Sequence, residues 1–148
     1  MSDDRGLSPS AVRASQQVRA VIGRLRRRIR AAGSTEDLSL TQGSVLARLT
    51  DVEGLTTSDL AAWEGMRHQS MAATVGALES RGLVERRRDP ADGRRLLIAL
   101  TAEGRARAEA GRQARGEWLA AELQHKCTEE ERRTVIAAMD VLERLVRD

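Results

Sequence analysis

With 148 residues the chain has room for one domain with a real core and too little for two. Its 41% hydrophobic and 32% charged residues describe a globular protein rich in exposed helix, and no apolar run approaches the roughly 18–20 residues of a membrane span. The formal net charge is +3, and between Arg67 and Arg95 seven arginines stand against four acids, so a surplus equal to that of the whole protein sits in one stretch.

The start, Met1-Ser2-Asp3-Asp4-Arg5, lacks the basic-then-apolar order of a secretion signal, and the single cysteine, Cys127, excludes an internal disulfide framework. Both point to a reducing cytoplasm. Arginine supplies 24 of the 25 basic residues, a bias that arginine-rich codon usage largely explains. With no Phe or Tyr, the core must be Leu, Val, Ile, Ala and Met with Trp63 and Trp118. That scarcity argues against a single-strand binder, which stacks bases on aromatic rings.

Residues 9–32 predict a first helix, α1, with Pro9 early and Val18, Ile22, Leu25 and Ile29 on one stripe. Gly33-Ser34 ends it. A second helix, α2, starts near Thr41 and buries Val45, Leu46 and Leu49 before Gly54. Thr56 with Asp59 forms a capping box that opens α3, through Glu64. Gly65 turns the chain into α4, Arg67 to Arg81, which Gly82 ends in the left-handed conformation.

A strand Leu83–Arg88 (β1), a tip Asp89-Pro90-Ala91-Asp92-Gly93 and a strand Arg94–Leu100 (β2) follow. In β2, Leu96, Ile98 and Leu100 alternate with Leu97 and Ala99, as suits a strand packed on helices. Thr101 caps a long α5 to about Gln124, and Thr128 with Glu131 makes a capping box for α6, where Val135, Met139, Leu142 and Val146 recur at helical spacing. The stripes of the terminal helices exceed what the small central unit can cover, so a homodimer joined through those helices is expected.

A short helix followed by an arginine-edged hairpin can read DNA in two grooves together. In α4, Met71, Val75 and Leu78 face inward, while Gln69, Ala73, Thr74 and Ala77 face out, with Arg67 and His68 at the N-terminal end. Small side chains let a helix sit deep in a major groove, where Gln69 can pair with adenine, Arg67 with guanine or phosphate, and Ser70 with phosphate. Alone, this is equally an ordinary amphipathic helix; the hairpin after it favours DNA. There Arg94 and Arg95 stand just past the tip, where a guanidinium can enter a narrow minor groove. Asp92 can hold Arg94 extended through a charge-assisted hydrogen bond. The bland alternative is a solvated turn with an exposed ion pair. Arg86, Arg87 and Arg88 are weaker candidates.

Residues 40–104 resemble the MarR (multiple antibiotic resistance regulator) family of winged helix-turn-helix repressors. The matching pieces are Leu40-Thr41-Gln42, Val45-Leu46 and Leu49, then Asp59-Leu60-Ala61, Gln69-Ser70-Met71 and Leu78-Glu79-Ser80-Arg81-Gly82-Leu83-Val84. Asp89-Pro90-Ala91-Asp92-Gly93-Arg94-Arg95 and Leu100-Thr101-Ala102-Glu103-Gly104 complete the series. Their order and spacing carry the resemblance, and the outer helices extend it over nearly the whole chain.

The resemblance implies a mainly α fold with a small β-hairpin. A winged helix-turn-helix DNA-binding lobe over 41–101 would lie between dimerisation helices at 9–32 and 105–147, all within a single domain, 1–148. It implies a homodimer on a pseudo-palindromic operator of double-stranded DNA, each α4 in a major groove and each wing in a minor groove. Arg94 would then be the minor-groove residue and Asp92 its brace. Two departures stand out: Ala73 occupies a position where many relatives carry a DNA-contacting arginine, and Glu64 a position usually apolar, which bears on packing between α3 and α4.

The run Arg24-Leu25-Arg26-Arg27-Arg28-Ile29-Arg30 is read as a solvated face with some salt bridges rather than a DNA contact. Cys127, beside Lys126 and His125 at a helix start, has the positive neighbours that a redox-sensing thiol uses, yet no partner cysteine exists in the chain, and an inert thiol is favoured. His68 and His125 show no metal-ligand spacing, and neither a catalytic constellation nor a cofactor motif is present, so no enzyme, metal or cofactor is expected.

The expected function is a dimeric transcriptional regulator, a repressor relieved by a small aromatic or lipophilic ligand, with Trp63 as a candidate pocket residue. A protein-interaction module on the same scaffold without operator binding is the alternative. A ligand-binding or detoxifying protein using the cleft between dimer helices and DNA-reading lobe is a third reading.

Overall fold

The computed structural model describes residues 6–33 and 37–147. Ser34 and the segment 1–5 read above lie outside them. The order is α1 (Pro9–Ala32), α2 (Leu40–Asp51), α3 (Thr57–Glu64), α4 (His68–Ser80), β1 (Val84–Arg88), β2 (Leu96–Leu100), α5 (Ala102–Lys126) and α6 (Glu129–Glu143).

Local chemistry sets most of these boundaries. Ser39 with Gln42, Thr56 with Asp59 and Thr128 with Glu131 form complete capping boxes, and Ser8 and Thr101 cap α1 and α5. Gly65 (φ 66°) ends α3 and Gly82 (φ 69°) follows α4, both in the left-handed region that a side chain would strain.

One core joins the central elements: Val45, Leu46 and Leu49 of α2, Leu60 of α3, Met71, Val75 and Leu78 of α4, and Val84, Ile98 and Leu100 of the hairpin. The hairpin is antiparallel, with Val84 opposite Leu100 and Arg88 opposite Leu96. It is shorter than its sequence implies, because Leu83 and the Arg94-Arg95 pair belong to the turns. Leu96 is exposed, so the inward alternation holds for Ile98 and Leu100 only. Two further links tie β2 to the α2–α3 connection: Thr56 bridges to Leu97, and the Ile98 amide donates to Leu55 O at 2.8 Å.

At the start of α5 the backbones nearly touch. A Cβ on Gly104 would lie 1.8 Å from the Leu83 carbonyl oxygen, so only glycine fits. The Thr101 hydroxyl and amide donate to Gly82 O (2.6 Å) and Leu83 O (3.1 Å), fixing the same junction.

The terminal helices are packed differently. α5 lies along α2 and α1, whereas among the described residues α6 has no extensive packing against any other element. Val135, Ile136, Met139, Leu145 and Val146 are exposed, as are Val12, Val21, Ile22 and Leu25 of α1. Among the described residues no helix is long and apolar enough to cross a membrane.

Candidate nucleic-acid interface

α4 stands on Met71, Val75 and Leu78, which are fully buried; Arg67, His68, Gln69, Ser70, Ala73 and Ala77 are exposed around the rest of its circumference. Thr74 is half-buried and its hydroxyl donates to Ser70 O at 3.0 Å, so part of its hydrogen-bonding capacity is spent inside the helix. The N-cap is Arg67, in extended conformation, and among the described residues no side chain caps this helix, unlike α1, α2, α3, α5 and α6. Its first amides therefore keep their capacity for an outside acceptor, and the positive end of the helix dipole adds to it.

The wing tip is organised by two aspartates. Asp89 Oδ1 accepts from the Ala91 amide (2.8 Å), and Asp92 Oδ1 accepts from the Arg94 amide (3.1 Å) and from Arg94 Nε (3.4 Å). Arg94 extends from this turn with 94% of its side chain exposed. The neighbouring arginines are engaged elsewhere. Arg86 Nε meets Glu79 at 3.1 Å, Arg87 Nε donates to Glu85 at 2.7 Å, and Arg88 Nη1 lies 3.5 Å from Gly93 O.

Arg95, expected beside Arg94, directs its guanidinium at Asp89 (3.3 Å) and Asp59 (3.9 Å). The Asp59 carboxyl is held below its ordinary 3.8, first by the Thr56 amide, then by the Thr56 hydroxyl, with Arg95 adding a smaller attraction against slight desolvation.

Behind the lobe, α1, α2, α3 and α5 enclose an open cavity of about 400 Å³. Ile22, Leu25 and Ile29 line it, so part of the stripe expected between subunits faces a cavity within one chain. Trp63 is on its wall, with the guanidinium of Arg48 at 5.1 Å and that of Arg26 at 6.0 Å from the ring centre. Among the described residues, Arg48 Nε is buried with no hydrogen-bond partner.

Glu64, the departure noted above, does not disturb the α3–α4 contact. Its carboxylate turns toward α1 and α2, accepting from Arg30 Nη2 at 3.1 Å and from the Ser44 hydroxyl. The arginine run of α1 is correspondingly mixed. Arg30 pairs with Glu64, Arg28 lies 3.7 Å from Glu122 and over Trp118, and Arg26 is over Trp63. Cys127 is half-buried at the start of α6, and Arg132 donates to its carbonyl. No group of His, Cys, Asp and Glu that could hold a metal occurs among the described residues.

Sequence reasoning missed the Arg30–Glu64–Ser44 link and the two carboxylates that hold Arg95. The first left no periodic signal. The second was half visible, because Asp59 was already assigned to a cap on the adjoining helix.

The sequence model of the MarR family matches residues 36–95. An uncharacterized HTH-type transcriptional regulator of Mycobacterium bovis is 33% identical over 114 residues, spanning 77% of this chain and 80% of that protein. Among solved structures, a transcriptional regulator of Pseudomonas aeruginosa superposes with a TM-score of 0.76 at 28% identity, covering 95% of this chain and 97% of the other. A point mutant of MepR from Staphylococcus aureus, bound to an oligodeoxyribonucleotide, shares the fold with a TM-score of 0.60 at 23% identity, covering 90% and 98%.

Proposed function

We propose, because this chain belongs to the MarR family of helix-turn-helix transcriptional regulators, that it binds a pseudo-palindromic operator as a cytoplasmic homodimer. The observation that carries the proposal is the pairing of an uncapped, outward-facing α4 with an extended Arg94 on one small lobe. Residues 41–101 form the DNA-reading lobe in this account, and the helices at 9–32 and 105–147 join two subunits. The exposed apolar face of α6, with Val12 and Val21 of α1, supports the second half of that division.

Each residue has a distinct role. The amides of His68, Gln69 and Ser70 and the Ser70 hydroxyl take phosphate at the start of α4, and Arg67 takes phosphate or guanine. Gln69 reads adenine, while Ala73 and Thr74 let the helix approach the base edges. Arg94 enters the minor groove, and Asp92 holds it there through the two contacts described. The same-fold MepR complex with DNA supports the general arrangement.

The protein acts as a repressor of its own or neighbouring genes, relieved when a small aromatic or lipophilic molecule fills the cavity beside Trp63. The apolar walls and aromatic ring favour such a ligand. The cavity lies against α2 and α3, so filling it would bias the elements that carry α4.

Titrating Gln69→Ala against the upstream region of its own gene and against random duplex tests the base-reading assignment. Operator affinity should fall by roughly 1–3 kcal/mol, with random-sequence affinity little changed. Equal losses on both would remove Gln69 as a base reader.

A further inference from the structure

We infer that Arg95 is a positioning residue: it clamps the wing tip to the first turn of α3 and does not itself contact DNA. The inference rests on the DNA-reading function proposed above.

The guanidinium sits between two carboxylates from separate elements, and each is fixed by other bonds. Asp89, whose side chain is only 11% exposed, is held by the Ala91 amide, and its own amide donates to Arg95 O at 3.0 Å. Asp59 is held by the amide and hydroxyl of Thr56, at 2.8 and 2.7 Å. The position of the guanidinium is thus dictated by its acceptors.

The hairpin needs such a tie. Backbone bonds from Leu55 and Thr56 secure the middle of β2 at Ile98 and Leu97. Beyond them the tip projects, with Leu96 exposed and the Arg88, Asp92 and Arg94 contacts all internal to the hairpin. Among the described residues, Arg95–Asp59 is the ion pair that joins this tip to the helical body. Arg95 with its two aspartates also carries a net negative charge, so it offers no free cation to a phosphate. Arg94, by contrast, is almost wholly exposed. Arg86–Glu79 ties the base of the hairpin to α4 at 3.1 Å, and the clamp fixes the tip beyond it, and so the spacing of the two grooves the lobe can engage.

Fluorescence-anisotropy titrations of the full-length protein on its upstream duplex, over a range of salt concentrations, separate clamp from contact. Arg94→Ala should make the slope of log K against log salt shallower by about one per wing. Arg95→Gln should weaken binding several-fold with a slope parallel to wild type. Asp89→Asn should also weaken it, although it deletes a negative charge, and Arg95→Gln with Asp89→Asn should lose no more than the worse single variant.

Hydrogen exchange without DNA gives a second readout: the Asp89 and Ala91 amides should exchange faster in Arg95→Gln, with α1 and α5 unchanged. A slope as shallow as that of Arg94→Ala, tighter binding by Asp89→Asn, or unaltered tip exchange would each overturn the clamp. If wild type binds no duplex specifically but tip exchange still rises, the DNA-reading function fails and the clamp stands.

Discussion

Replacing Arg30 should destabilise the protein more than replacing its partner Glu64, because the two ends of this ion pair are unequally exposed. The Glu64 side chain is 7% exposed and that of Arg30 32%. In Arg30→Met the carboxylate keeps the Ser44 hydroxyl but loses its counter-charge and cannot rehydrate. Breaking a buried pair in this way costs about 3–5 kcal/mol, and the surviving Ser44 bond places the loss near the lower end. In Glu64→Gln the orphaned charge is on Arg30, which reaches water. What is lost is the difference between charged and neutral hydrogen bonds, about 1 kcal/mol. Arg30→Met with Glu64→Leu removes both charges and should recover to within about 1 kcal/mol of wild type. Urea unfolding at one fixed protomer concentration measures all three, since a dimer's apparent stability depends on concentration. A smaller loss in Arg30→Met than in Glu64→Gln, or a double variant no better than Arg30→Met, would refute the reasoning.

Gly104→Ala should unfold or strongly destabilise the protein, at or above the roughly 1–3 kcal/mol of ordinary overpacking, because its Cβ meets a backbone oxygen; thermal unfolding reads this directly. Asp59 has a carboxyl pKa lowered below 3.8 in the folded state, so its contribution is present above that value and lost as pH falls through the lowered one. The acid limb of a Tm-against-pH curve should therefore be shallower in Asp59→Asn than in wild type. Removing α6 should give an insoluble or monomeric protein with little operator affinity, checked by light scattering. A soluble truncated monomer that bound as tightly as the intact chain would show that dimerisation does not position the reading heads.

Most of the architecture was legible because it is written locally. The Thr56–Asp59 and Thr128–Glu131 boxes, the left-handed Gly65 and Gly82, and the apolar spacing of Met71, Val75 and Leu78 each depend on residues within one or two turns. The ends of the hairpin were less legible. Arg94 and Arg95 are compatible with a strand, and it is the Asp89 and Asp92 hydrogen bonds that keep them in the turn. Contacts between distant segments were invisible for the same reason. Glu64 reads as an intruder in an apolar position until Arg30, 34 residues earlier, is brought beside it. Arg95 reads as a second DNA-facing cation, and only the fold brings Asp59, 36 residues earlier, within 3.9 Å of it.

Hydroxyl-radical footprinting on the upstream region tests the central claim most directly, since it records how the bound protein sits on the duplex. Two symmetric protected half-sites about one helical turn apart, roughly 10 base pairs centre to centre, are predicted, with minor-groove protection on the outer flanks where Arg94 enters. Arg94→Ala should lose the flanking protection and keep the centre. Protection without two-fold symmetry, or none above that on random DNA, would contradict a dimer that reads an operator through α4 and the wing.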